Sequence, residues 1–434
     1  MNIHIIAIAG KMTAPLALEL KKHGHRLTGS DQPKIFPPFS TLLKKNHIPV
    51  NQTAINSKID LVIVGSSYKK FSNTRQVYQI AKRKAIPTIS ATRYIAQNIA
   101  KSNSILVAGS FGKTTITSLL SQILIKSKLN PSYLIGGTNL NTIPSAKITN
   151  SSWSVIEADE SINGLDRQAK FLYYPAKYVI ITSVAWEHID SYPTFKDNLD
   201  AYQALIKKIP KDGLLIYNHQ DKHLKKLIKY CQAKTYPYDS TLTLQTKLIG
   251  FHNYQNIQAA YTISKYLGLN DSIIQSTIKN FKGVVGRLQL IANYKNIIFI
   301  DDFAQSIPRI KSSILALKNQ YPGRPIKLLF EPHASFLLQK SSIKGLKLAF
   351  TNCTQVVISK IPYQKEISKN DRSTATDFKR ELGKKATYLP LWPDIFHFYT
   401  KNLKPNDILI HMSSGGLTGQ KTFKSIINYF KKDQ

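Results

Sequence analysis

Apolar runs and amphipathic stretches alternate along the whole chain. Residues 3–8 (Ile-His-Ile-Ile-Ala-Ile) form a mostly apolar run that predicts a buried strand. Residues 14–23 then carry apolar side chains at helical spacing, and Gly24 is placed to end that helix. Further short strands are predicted at 26–29, 61–64 and 87–90, which is the βαβ rhythm of a parallel sheet. The polar stretch Lys101-Ser102-Asn103-Ser104 interrupts the pattern, and a new strand at 105–108 feeds a glycine-containing turn and a helix from Thr114. Strands follow at 154–158, 178–182 and 214–218. After Phe281-Lys282-Gly283 the pattern restarts, with strands at 297–301, 326–330, 355–359 and 407–412 and a helix at 310–319. The expectation is an α/β chain of three units, 1–100, 101–285 and 286–434.

Composition sharpens this picture only in places. Hydrophobic residues make up 42% of the 434 and charged residues 20%, enough apolar material for cores and unlike a disordered chain. The longest apolar runs, such as 178–182 and 297–300, fall far short of the ~18–20 residues that span a bilayer, so no membrane segment is expected. The first residues lack the basic and long apolar regions of a secretion signal. Two cysteines, Cys231 and Cys353, exclude a disulfide framework and a multi-cysteine metal site, which points to the cytoplasm. The net charge of +35 invites a nucleic-acid reading. However, the lysines are scattered in pairs such as Lys21-Lys22, Lys207-Lys208 and Lys431-Lys432, and arginine, the better bidentate reader, is scarce. A solvated basic surface with no specific nucleic-acid partner is the expectation.

Five segments carry candidate chemistry. In 105–115, a strand runs through Gly109, Ser110, Phe111 and Gly112 into Lys113, Thr114 and Thr115. Backbone N–H groups and a helix N-terminus there suit phosphate, a lysine adds charge and a hydroxyl can hold Mg²⁺. Val107 stands where the common phosphate loop has its first glycine, so this is the shorter Gly-x-x-Gly-Lys-Thr-Thr form. Glu157, Asp159 and Glu160 follow a strand, the place where carboxylates meet a phosphate-bound Mg²⁺. His188 follows another strand and is a candidate to converge with Glu157 and Thr114, although a lone histidine is more often structural. Asn253 and Asn256 precede or open a helix, where base or ribose contact and simple capping both fit. Asp301 and Asp302 again place carboxylates at a strand end.

In this order and spacing the segments resemble the Mur ligase family, ATP-dependent amide-bond ligases of peptidoglycan assembly, over essentially the whole chain. The resemblance implies a Rossmann-like N-terminal domain for the UDP-sugar (1–100), a central P-loop ATPase domain with a parallel sheet (101–285) and a Rossmann-like C-terminal domain that closes and brings the amine (286–434). It implies ATP and Mg²⁺ as cofactors and UDP-N-acetylmuramate as acceptor, with the muramoyl carboxylate passing through an acyl phosphate. On this resemblance residues 109–112 wrap the phosphates, Lys113 meets the γ-phosphate, and Thr114, Glu157 and His188 hold metal. Thr115, Asn253, Asn256, Arg287 and Asp302 complete the ATP site, and Gly10, Ser30 and Asp31 meet the UDP-sugar.

Segments 36–41, 329–332 and 412–416 are most similar to the recycling branch, which adds the tripeptide L-alanyl-γ-D-glutamyl-meso-diaminopimelate. Segment 187–192 is nearer to the branch that adds L-alanine. The first branch is the leading expectation, with the second, or a divergent member using another substrate, as the alternative. The chain also departs from the family. Ala7, Ala14 and Pro15 stand where glycines are usual, Gly286-Arg287 replaces a double arginine, Gln289 replaces an acid, and Gln305-Ser306-Ile307 replaces a His-His-Pro. These changes imply an altered substrate or reduced activity.

Overall fold

Three sheets carry the fold. The computed structural model describes the chain apart from residues 51–54, 56–57, 187–190, 239–242, 305, 333–334, 363–366, 414–416 and 433–434. The first sheet has strands β1 (Asn2–Ile6), β2 (Arg26–Ser30), β3 (Leu61–Val64) and β4 (Thr88–Ser90), all parallel, in the order β2-β1-β3-β4. The second contains β5 (Asn103–Ala108), β6 (Ser132–Leu134), β7 (Ala146–Lys147), β8 (Trp153–Glu157), β9 (Tyr178–Ile181), β10 (Leu214–Asn218) and β11 (Lys234–Tyr238). Its order is β11-β10-β9-β5-β8-β6-β7, with only β6 and β7 antiparallel. The third contains β12 (Gln289–Tyr294), β13 (Ile297–Asp302), β14 (Ile326–Glu331), β15 (Cys353–Ile358), β16 (Ala386–Tyr388) and β17 (Ile408–Ser413). Its order is β12-β13-β17-β14-β15-β16, parallel except for the β12–β13 hairpin.

The expected α/β class and its parallel-dominated sheets are therefore present. Near-continuous apolar runs such as Ile105-Leu106-Val107-Ala108 are buried throughout, as expected of central parallel strands covered on both faces. The predicted strand at 3–8 stops at Ile6, because Ala7 swings to a φ of 56° and leaves the extended region. The β12–β13 hairpin was not foreseen. It turns on Lys295 and Asn296, with φ of 49° and 59°, the two positive values that let a two-residue turn follow strand twist.

The chain divides into two compact units, Met1–Lys247 with Asn253–Val284, and Leu248–His252 with Val285–Gln434. The first unit holds two sheets; one apolar cluster runs from Ile3 and Leu16 through Ile95 to Leu106 and Ile181, and another gathers Ile6, Val62, Val64 and Val77. A polar tie adds to it: the buried Glu19 carboxylate, on the helix Thr13–Lys22, accepts from Ile148 N just beyond β7 at 2.8 Å. The helix Lys113–Lys126 runs through this unit with residues 114–124 all buried. Within it, Ser121 Oγ donates to Thr117 O at 2.7 Å. The second unit packs its own core around Phe330, Phe350, Ile410 and Met412 on one side of the third sheet, and Phe299, Tyr399 and Phe423 on the other. Among the described residues no helix is long and apolar enough to cross a membrane.

Candidate functional site

At the end of β5 the chain must turn sharply into the helix Lys113–Lys126. Gly109 and Gly112 take φ of 116° and 81°, a region that side chains disfavour. Packing restricts them as well: a Cβ on Gly109 would strike the Thr182 hydroxyl, and one on Gly112 the Asn256 carboxamide. The turn is pinned to the chain that follows β9. Thr182 Oγ1 donates to Phe111 O at 2.5 Å, Ser110 N to Ser183 O at 3.0 Å, and Ala185 N to Ser110 Oγ at 2.7 Å. Gly112 caps the helix without a side-chain hydrogen bond, the arrangement in which first-turn N–H groups and the helix dipole serve an anion. Thr115 is buried in that first turn.

Lys113 lies across this turn. Its Nζ donates to Gly109 O at 2.5 Å and pairs with Glu160 Oε2 at 2.7 Å, the two side chains being 13% and 2% exposed. Burial disfavours the ammonium, but the charges of Glu160, Asp159 and Glu157 outweigh it and hold the lysine pKa above its ordinary value. From the next residue, Thr114 Oγ1 donates to Glu157 Oε1 at 2.9 Å, while Gly136 N donates to Glu157 Oε2 at 2.7 Å. A Cβ on Gly136 would collide with that carboxylate, so the glycine keeps Glu157 aimed at Thr114. A hydroxyl and a carboxylate are hard oxygen donors of the kind Mg²⁺ accepts alongside water and phosphate oxygens. Among the described residues no group of three or more His, Cys, Asp or Glu side chains is arranged to hold a metal ion.

The acidic run is itself held in place. Tyr192 donates its hydroxyl to Glu160 O, and Lys170 Nζ contacts both Asp159 Oδ2 and Ser161 Oγ at 2.7 Å. Asn256 Nδ2 donates to Asn253 Oδ1 at 3.3 Å, and both residues are buried. The helix Phe251–Tyr266 begins before Asn253, so that residue sits inside the first turn instead of capping it. His188, expected as a metal or acyl-phosphate contact, lies outside the described residues.

The expected sugar-nucleotide residues divide. A cavity of about 230 Å³ opens beyond the carboxyl ends of β1 and β3, lined by Ala7, Gly10, Lys11, Thr13 and Ser66 on one side and Asp159 and Lys170 on the other. Gly10 therefore faces the cavity, with its N–H donating to Thr13 Oγ1 at 3.1 Å. Ser30 and Asp31 do not line it. Ser30 is fully buried, its Oγ 3.1 Å from His4 Nε2, and Asp31 accepts from Ala9 N and Gln32 N at 2.7 Å each. Burial raises the Asp31 pKa against the lowering effect of those two N–H groups. Ala7 keeps the left-handed backbone that a glycine would adopt freely; Gly65 makes room for its methyl, since a Cβ on Gly65 would come within 3.1 Å of it.

In the second unit, Arg287 stacks its guanidinium over Phe303 with 5.4 Å to the ring centroid. Asp302 is buried, accepting from Ser313 Oγ at 2.5 Å and from Leu288 N at 3.3 Å. Burial pushes its pKa up to about 6, against the lowering effect of Ser313 and Arg287. Beside it lies a group absent from the sequence expectations. His411, fully buried on β17, places Nδ1 2.9 Å from Asp301 Oδ1 and Nε2 3.6 Å from Glu331 Oε2. Ser413 Oγ donates to the same Glu331 oxygen. Burial disfavours the imidazolium, yet the two carboxylates overcome this and raise the His411 pKa.

The sequence reading placed Glu160 in an acidic run suited to Mg²⁺ but foresaw no pairing with Lys113, and it left Gly136, Thr182, Lys170 and His411 without roles. Glu160 had a visible signal, since it lies in the acidic run after β8; the others show their contacts only once distant strands are neighbours.

Comparison with known proteins adds three findings. Residues 107–242 match the profile of the Mur ligase middle domain. The UDP-N-acetylmuramate–L-alanine ligase of Pelagibacter ubique is 30% identical over 397 residues, 83% of each chain. Among solved structures, the UDP-N-acetylmuramate–alanine ligase of Thermotoga maritima superposes with a TM-score of 0.78 at 19% identity, covering 100% of both chains. A murein peptide ligase from Psychrobacter arcticus reaches 0.70 at 20% identity, covering 100% of this chain and 99% of that one.

Proposed function

The chain belongs to the Mur ligase family of ATP-dependent amide-bond ligases, and from that membership we propose that it joins the carboxylate of UDP-N-acetylmuramate to the amine of L-alanine. The observation that carries the choice of amine is the 30% identity, over 83% of each chain, to an enzyme named for L-alanine. The leading sequence expectation, addition of the tripeptide, is less well supported. It rested on short segments, and the solved structures of both kinds are below 25% identity, which speaks to fold alone. The alternative drawn from segment 187–192 is the one we adopt.

The residues in place suit the reaction. The 109–112 turn offers backbone N–H groups to the ATP phosphates, and Lys113 brings a buried positive charge to the γ-phosphate. Thr114 and Glu157 would hold Mg²⁺, whose charge would offset that of the phosphates. A muramoyl carboxylate oxygen attacks the γ-phosphorus, ADP leaves, and the carboxylate becomes an acyl phosphate. The alanine nitrogen then attacks the carbonyl carbon, phosphate departs and the nitrogen loses a proton. The family resemblance implies ATP contact for Asn253 and Asn256 and UDP-sugar contact for Gly10; Ser30 and Asp31 act through the strand end that shapes the cavity. Phosphate release from ATP with UDP-N-acetylmuramate tests the reading. Release with L-alanine and none with the tripeptide is expected; release with the tripeptide alone would return the chain to the recycling branch.

A further inference from the structure

A phosphate-binding lysine must present its charge to the nucleotide, yet Lys113 already has an anion. Its ammonium is folded back onto Gly109 O, four residues earlier in the chain, and pairs with Glu160 at 2.7 Å. Glu160 is not a loose surface acid that drifted into contact. Its side chain is 2% exposed, its own carbonyl accepts the Tyr192 hydroxyl, and Phe171 N donates to the carbonyl of neighbouring Asp159 at 3.2 Å. Asp159 in turn is paired with Lys170. The carboxylate that meets Lys113 is thus delivered by a fixed stretch of backbone.

An ammonium and a carboxylate buried together compensate each other's desolvation, and each is costly to leave alone. ATP therefore meets a lysine whose charge is largely neutralised, beside a carboxylate that repels its phosphates. We propose that Glu160 is a positioning residue that holds Lys113 in place before nucleotide arrives and competes with the ATP phosphates for its ammonium, so that the site binds ATP more weakly than its lysine and glycine turn alone would allow. This rests on the ATP-ligase reading above. Glu160 sets how tightly the nucleotide is held, and it keeps Lys113 from being a buried, unpaired charge.

The test is ATP and ADP affinity, by calorimetry on the full chain with Mg²⁺, in wild type, Glu160→Gln, Glu160→Asp and Lys113→Ala, with a thermal melt of each. Glu160→Gln keeps shape and a hydrogen-bond acceptor while removing the charge. Its Kd for ATP should fall by about tenfold, the scale of exchanging a charged partner of a buried ammonium for a neutral one. Glu160→Asp keeps the charge but shortens the reach, so its Kd should lie between the two; this ordering also serves should Glu160→Gln melt early. In turnover, Glu160→Gln should lower both KM for ATP and kcat, because the lysine binds nucleotide better and is held less firmly for phosphoryl transfer. A residue with only a structural role would weaken binding when replaced. Unchanged or weaker ATP binding in folded Glu160→Gln and Glu160→Asp overturns the proposal. Failure of the wild type to bind ATP overturns the ligase reading itself and the proposal with it.

Discussion

Two buried charged clusters sit at carboxyl ends of parallel strands, one in each unit, and they are built in opposite ways. In the first unit the members are close in sequence: Gly109 to Thr114 form one turn, and Glu157 to Glu160 one strand end. In the second, Asp301, Glu331 and His411 come from three strands, with Asp301 and His411 separated by 110 residues. The first cluster presents its groups around a glycine turn that two positive-φ residues hold open. The second surrounds an imidazole that is wholly out of solvent. The difference teaches that burial and charge alone do not identify a binding site; a turn with backbone N–H groups beside the charge does.

The sharpest way to break this comparison is to remove the lysine. Lys113→Ala should lower phosphate release by about 10²–10³-fold, the scale for losing one fixed charge-stabilising donor in a dry site. A variant within a few-fold of wild type would mean that the turn does not serve phosphoryl transfer. The matching change in the second cluster is His411→Ala, which leaves Asp301 and Glu331 facing each other without a cation. We expect a loss of about 3–5 kcal/mol in stability of the second unit by denaturant melt, as for a buried ion pair stripped of one partner. A loss below about 1 kcal/mol would show the cluster to be hydrated in solution.

A smaller effect concerns pH. Burial holds the Asp302 pKa in the folded chain at about 6, against 3.8 for a solvated aspartate. A group with a raised folded pKa contributes stability that is present below 3.8 and lost as pH rises through 6. The two values differ by roughly 2 units, or about 3 kcal/mol. Asp302→Asn should therefore gain stability relative to wild type as pH rises from 4 to 6.5, measured as the difference between the two denaturation curves at each pH. A difference independent of pH over that range would mean that Asp302 is already charged in the folded state at pH 4.

How far the molecule was legible from sequence follows from the same contrast. Strands such as 105–108 and 297–301 stood out because both faces are buried and the apolar run is unbroken. β6, β7 and β16 have three, two and three residues, too few for any periodicity to register. The 109–115 turn and Glu157 were readable because a turn, a helix start and a strand end are local events. The Lys113–Glu160 pair spans 47 residues and needed β5 and β8 to be neighbours before it existed. Ser30 was assigned to the UDP-sugar through the family resemblance, but its hydroxyl meets His4, a contact fixed by the β1–β2 register that sets His4 opposite Thr28. The amine was the least legible feature, since segments 36–41 and 187–192 resemble different branches and no residue type alone distinguishes L-alanine from a peptide that begins with it.

The central claim is that the 109–115 turn activates a carboxylate by phosphorylation so that an amine can replace the phosphate. It is tested most directly with UDP-N-acetylmuramate carrying ¹⁸O in its carboxylate, incubated with ATP, Mg²⁺ and L-alanine, followed by mass analysis of both products. The account predicts UDP-N-acetylmuramoyl-L-alanine together with inorganic phosphate that has acquired one ¹⁸O from the carboxylate. Phosphate released without label, or released with no amide product, would contradict it.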